Sequence, residues 1–204
     1  MQPIVIPLLY LKHLNHRYMT SPGIRNVAVF CASKTGSNPV HMDNARALGE
    51  GLAKAGINIV YGGGGKGLMG AVADGHLAAG GRITGVIPSI LRDREHQHQG
   101  LSELIVTRDM HERKRTIYER CDAAIILPGG FGTLDELFEM LTWNQLSIHD
   151  KRIFILNTEG FYDHLIAHLQ HMEQEAFLYD KVSDRICVCG SPAALLAEIE
   201  GLKN

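Results

Sequence analysis

The chain has 204 residues, 45% of them apolar and 21% charged, with a formal net charge of −2. That length suits one domain with a sizeable core, and the charge offers no basic footprint for a nucleic-acid backbone. No apolar run approaches the ~20 residues of a membrane helix, and the short apolar stretch 4–11 lacks the charged start and cleavage pattern of a signal peptide.

Residues 1–23 read as an N-terminal arm, either disordered or upstream of a start at Met19, ahead of one domain over 24–204. From Asn26, apolar runs at 27–31, 58–61, 82–87, 104–107, 123–127, 152–156 and 186–188 predict strands. Amphipathic stretches at 39–55, 68–79, 110–120, 134–146, 162–175 and 192–202 predict the helices between and after them. Runs without polar alternation, such as Ala123-Ala124-Ile125-Ile126-Leu127, predict strands buried on both faces. The fold class is therefore α/β, a doubly wound parallel sheet with helices on both faces. Asn38-Pro39 and Ser191-Pro192 place a capping side chain before a proline at the first helical position. Asp109 to Glu112 and Thr133 to Glu136 both have capping-box spacing. The loop 92–100 is the most polar stretch and a candidate mobile segment.

Of Cys31, Cys121, Cys187 and Cys189, three lie in or beside apolar runs, where a free cysteine behaves as a small hydrophobe. No C-x-x-C or zinc spacing is present, and the usage fits a reducing cytoplasm. His164, His168 and His171 share a helical face but bring no further ligands, so surface or interface histidines are expected and no metal site. Trp143, on one helix with Leu137 and Leu141, is expected in the core or at a dimer surface.

Two turns carry the functional signal, Gly62-Gly63-Gly64-Gly65-Lys66-Gly67 and Pro128-Gly129-Gly130-Phe131-Gly132-Thr133-Leu134-Asp135-Glu136. Each follows an apolar strand and opens a helix, where free N–H groups and the helix dipole attract an anion. Both are expected to face one crevice at the carboxyl ends of the strands. A third turn, Ala32-Ser33-Lys34-Thr35-Gly36-Ser37, offers hydroxyl donors. Gly62, Gly64 and Gly67 satisfy G-x-G-x-x-G, but the next strand runs into Pro88-Ser89 with no acid for a ribose. Lys66 is followed by Gly67, so the P-loop pattern fails as well. On spacing alone, Glu136 is either a capping residue bonding back to Thr133 or a reactive carboxylate, and Arg113 is either solvated or part of a site.

Asp109-Met110-His111-Glu112-Arg113-Lys114, followed by Pro128-Gly129-Gly130-x-Gly132-Thr133-x-x-Glu136, resembles the LONELY GUY family. Its members are cytokinin riboside 5′-monophosphate phosphoribohydrolases, historically often labelled lysine decarboxylases. The resemblance extends from about Asn26 to Asp163. It implies a Rossmann-like fold and a homodimer; the cysteine usage makes the expected compartment cytoplasmic, and the chemistry calls for no metal or cofactor. The resemblance implies hydrolysis of the bond between the base and ribose 5-phosphate in AMP or an N6-substituted AMP. The family's catalytic positions fall on Arg113 and Glu136. The family's phosphate and ribose contacts fall on Gly129, Gly130, Phe131, Gly132 and Thr133, and Glu95 and Lys114 match positions associated with substrate. Met110 is a candidate base contact, and Ser33, Gly62, Gly63, Gly64 and Gly67 form the candidate phosphate and glycine turns. Lys66 departs from the small or apolar residue of many relatives. A carboxylate at Glu136 suits the chemistry, because breaking the C1′–N bond develops oxocarbenium character. A neighbouring guanidinium favours its ionised form. The alternative implied by similar folds is a non-enzymatic nucleotide or molybdenum-cofactor carrier, from which the Arg113/Glu136 pair is the distinguishing feature.

Overall fold

The computed structural model describes residues 23–91 and 96–202, so the arm 1–22 and Glu95 lie outside the described residues. The strands are β1 (Asn26–Phe30), β2 (Asn58–Tyr61), β3 (Ile83–Pro88), β4 (Glu103–Thr107), β5 (Ala123–Ile126), β6 (Arg152–Leu156) and β7 (Ile186–Cys189). They form one sheet in the order β4-β3-β2-β1-β5-β6-β7. Every pairing is parallel, with Val27 of β1 opposite Ile59 on one side and Ala123 on the other. The chain steps outward from β1 to β4, then returns to the other flank of β1 as β5. The loops leaving β1 and β5 therefore diverge, which opens a crevice at their carboxyl ends.

The helices are α1 (Val40–Lys54), α2 (Gly67–Ala78), α3 (Met110–Arg120), α4 (Phe131–Gln145), α5 (Asp163–Gln174), α6 (Val182–Arg185) and α7 (Pro192–Gly201). Successive strand side chains point to opposite faces. Val27, Val29, Ile59 and Phe154 pack against Leu48 and Leu52 of α1, Val72 of α2 and Leu195 of α7. Ala28, Phe30, Ile126 and Ile155 pack against Ile117 of α3, Leu137 and Met140 of α4 and Leu169 of α5. Each fully buried aliphatic of this kind contributes roughly 1.5–3 kcal/mol. Trp143 lies on the second core, its ring edge-on to Tyr118 at 4.9 Å.

The doubly wound sheet matches the sequence-based expectation, and each predicted strand lies within a residue or so of its observed bounds. Two caps form as expected: Asp109 accepts from Glu112 N–H at 2.8 Å and Ser191 from Ala194 N–H at 3.2 Å. The expected Asn38 cap does not form, because Pro39 is itself the N-cap of α1 and no side chain caps that end; Asn38 accepts from Val40 N–H at 3.1 Å one residue ahead of it. The reciprocal half of the Asp109 box is displaced by one residue, because Glu112 accepts instead from Arg108 N–H at 2.7 Å. The short α6 was not anticipated. The start of α4 was placed three residues late.

Candidate active site

The displaced start of α4 changes what its residues can do. Gly130 is the last non-helical residue, at φ −99° and ψ −152°, and Leu134 N–H closes the first helical bond onto Gly130 O at 3.1 Å. The N–H groups of Phe131, Gly132 and Thr133 precede that bond and have no partner within the helix. Gly130 and Gly132 carry no side chain and have open space where one would stand, so the helix end is bare. Thr133 is the third helical residue and Glu136 lies in the second turn. The capping box read from Thr133 to Glu136 therefore does not exist, and Glu136 is released from that role.

A cleft of about 540 Å³ opens beside this helix end, within the usual range of ~300–1,000 Å³ for ligand sites. Its polar wall holds Ser33, Lys34, Arg113, Thr133, Asp135 and Glu136; Met69, Leu91, Met110 and Phe131 make its apolar wall. Arg113 comes from the first turn of α3 and is only 6% exposed. Its Nη1 donates to Met110 Sδ at 3.8 Å, and its Nη2 lies where a Cβ at Gly62 would stand. Glu136 reaches the same cleft from α4. Cys31, at the cleft floor, has its thiol pKa pushed up by burial and then by the Glu136 carboxylate. A thiol so placed stays protonated and makes a poor nucleophile.

The structure thus gathers Ser33, Gly62, Met110, Arg113, Gly130, Phe131, Gly132, Thr133 and Glu136 around one cleft. It does not bring Gly63, Gly64, Gly67, Gly129 or Lys114 to the cleft lining. The first glycine turn is covered instead. His98 N–H donates to Gly63 O at 2.9 Å, Gly65 N–H donates to His96 O at 2.8 Å, and Gly64 bridges Gln97. The His98 ring in turn hydrogen-bonds Asp74 of α2 at 3.0 Å. At the start of α2, Met69 N–H donates to Ala32 O at 3.2 Å, so one of that helix end's N–H groups already has a backbone partner. Gly67 sits at φ +59° and a Cβ there would collide with the Ser33–Lys34 backbone. This turn packs α2 onto the β1–α1 loop, and of its glycines Gly62 lines the cleft.

Lys114 points along α4. Its Nζ lies 2.8 Å from Glu139 and 3.2 Å from Asp135. Burial alone would lower its pKa, but the two carboxylates outweigh burial and hold it raised. Gly129 borders a second hollow of about 260 Å³ on the far side of the β1–α1 loop. Sequence reasoning missed Lys34, although it lies in the turn singled out for its hydroxyls, and missed Met69 and Leu91, which carry no motif. His164, His168 and His171 are exposed on α5, and no group of three or more metal-binding side chains occurs among the described residues.

An open parallel sheet with a bare helix end at its switch point places the molecule in the Rossmann-like α/β class. Its backbone resembles the molybdenum-cofactor binding protein of Rippkaea orientalis, with a TM-score of 0.69 at 23% identity, covering 90% of this chain and all (100%) of that one. It also resembles the molybdenum-cofactor carrier of Chlamydomonas reinhardtii, with a TM-score of 0.63 at 20% identity, covering 87% and 96% of the two chains. These likenesses are of fold. Residues 69–199 match the family described as "Possible lysine decarboxylase". A probable cytokinin riboside 5′-monophosphate phosphoribohydrolase of Oryza sativa subsp. japonica is 43% identical over 176 residues, spanning 85% of this chain and 78% of that protein. The cytokinin riboside 5′-monophosphate phosphoribohydrolase of Rhodococcoides fascians is 38% identical over 179 residues, spanning 87% and 90%. The chain belongs to this family, the LONELY GUY proteins.

Proposed function

We propose that the protein hydrolyses the N-glycosidic bond of a purine nucleoside 5′-monophosphate, AMP or an N6-substituted AMP, to free base and ribose 5-phosphate. The observation that carries this reading is that Arg113 of α3 and Glu136 of α4 share one cleft with the bare N-terminus of α4. The phosphate docks on the free N–H groups at Gly132 and Thr133, with the Ser33 hydroxyl beside it. The base lies along Met69, Leu91 and Met110. Glu136 stabilises the positive charge that develops on the sugar and orients the attacking water. Water adds its hydroxyl to C1′ and the remaining proton ends on the departing base. Arg113 fixes the carboxylate and reaches toward the sugar.

The names of the relatives at 38% and 43% identity support the same reading. The molybdenum-cofactor proteins share the fold at 20% and 23% identity. The cleft's buried arginine and carboxylate favour hydrolysis over carriage. Incubation with AMP and N6-isopentenyl-AMP, followed by chromatography, tests it. Stoichiometric base and ribose 5-phosphate are expected; tight binding without base release from any purine monophosphate would favour a carrier instead.

The functional unit is a cytoplasmic homodimer in this reading. Phe131 is 95% exposed and Phe138 38% along α4, with Leu146 and Ile148 just beyond it, an apolar stripe suited to a second copy. The described cysteines are all free, which suits a reducing compartment. Light scattering on the purified chain tests the dimer, and a monomer at micromolar concentration would contradict it.

A further inference from the structure

Among the described residues two cations line the cleft, and they differ in placement. Arg113 is buried under Gly62 at the floor. Lys34 is exposed on the β1–α1 loop, and no described residue hydrogen-bonds or pairs with its ammonium. Lys114, by contrast, is consumed by Asp135 and Glu139. Lys34 also borders the second hollow, whose other lining among the described residues includes Ser37, His41, Gly129 and Phe161 and no acidic residue. Two carboxylates, Asp135 and Glu136, line the cleft on its other flank.

That asymmetry sorts charge. A phosphate on the α4 N-terminus carries about −1.5 to −2 charge near neutral pH, and the carboxylates of Asp135 and Glu136 oppose it. The N–H groups of one helix end supply only about half a positive charge. A full compensating charge must come from the acid-free side, where Lys34 stands between cleft and hollow. We infer that Lys34 is the residue that selects the 5′-phosphate: its ammonium pairs with the dianion held at Gly132 and Thr133, and it discriminates nucleotide from nucleoside. This rests on the reading of the cleft as a nucleotide site, and it adds a determinant that lies outside both motifs.

The experiment is calorimetry of the full chain with AMP, ribose 5-phosphate and adenosine, for wild type, Lys34→Ala and Lys34→Arg. Lys34→Ala is expected to weaken AMP and ribose 5-phosphate by about tenfold or more, the worth of a hydrogen bond to a charged group. Lys34→Arg keeps most of the affinity, and adenosine binding does not change in either variant. Between pH 7.5 and 5.5 the phosphate, with a second pKa of about 6, passes from mostly dianion to mostly monoanion. Wild-type affinity for AMP should therefore fall more steeply than that of Lys34→Ala, which a merely structural role would not produce. Equal weakening of AMP and adenosine, or unchanged AMP affinity in Lys34→Ala, overturns the inference. If base is released from AMP and Lys34→Ala binds AMP normally, only this inference fails. If AMP binds through Lys34 but no base is released, only the hydrolase reading fails.

Discussion

Gly62 makes the place of the Arg113 guanidinium. A Cβ at position 62 would overlap Nη2 and lie 3.2 Å from Cζ, so the first residue of the first glycine turn and the first turn of α3 are mutually fitted. Gly62 came out of the sequence as a phosphate-turn glycine, and the fold uses it as a socket for a buried cation.

Gly62→Ala should therefore act on Arg113. The clash falls on the far end of a flexible side chain, so the fold tolerates it and the guanidinium moves. A displacement near 1 Å costs about 100-fold in rate. The expected result is a loss of that order in kcat/KM with a thermal midpoint close to wild type. Full activity in Gly62→Ala would separate Arg113 from the reaction.

Lys114 ties α3 to α4 through Glu139 and Asp135 at 2.8 and 3.2 Å. Lys114→Met leaves Glu139, also mostly buried, without its cation. Charge-assisted bonds of this kind are worth about 1.5–3 kcal/mol, discounted toward the lower end because Asp135 is 60% exposed. Urea unfolding should show that loss, with little change in KM for AMP. A raised KM at unchanged stability would instead place Lys114 on the substrate.

The thiols should divide sharply. Burial pushes the pKa of Cys31 and Cys121 up, and that of Cys189 up to about 12 through burial and the neighbouring Cys187. Only Cys187 is half-exposed. An aromatic disulfide reagent at pH 7.5 should modify Cys187 rapidly and the other three only on unfolding. Fast modification of Cys31 in the native chain would contradict its placement at the cleft floor.

Stability should fall on mild acidification. The His76 ring is buried between two backbone carbonyls, Gly49 O at 3.0 Å and Arg82 O at 3.1 Å. Burial lowers its pKa below 6.5 despite both carbonyls, and burial does the same to His149. The unfolded chain therefore binds protons first. The contribution is complete above about pH 6.5 and is lost as pH falls below that value toward the folded pKa. Asp109 and Glu112, both lowered from 3.8 and 4.5, act only in more acidic solution. Urea midpoints from pH 8 to pH 5 check the trend, and a His76 titration above 6.5 by NMR would contradict it.

The sheet was legible because its strands are apolar on both faces, as in Ala123 to Leu127, and because glycine and proline punctuate the helices. The start of α4 was not, since Gly130-Phe131-Gly132 reads as loop on propensity while the bare helix end needs just those glycines. The covering of Gly63 to Gly65 by residues 96–98 is a long-range pairing without a local signal. Arg113 and Glu136 were found through their motif, and local spacing left Glu136 ambiguous with a cap. The cleft's apolar wall, Met69 and Leu91, comes from separate elements and has no pattern to read.

The central claim is that Glu136 acts on the sugar as its bond to the base breaks. Its most direct test is base release from AMP by Glu136→Gln, measured alongside AMP binding. The amide keeps the shape and removes the charge. Binding should stay within a few-fold while base release falls by about 100- to 1,000-fold, the usual cost of losing one electrostatic stabiliser. Base release at the wild-type rate would contradict the account.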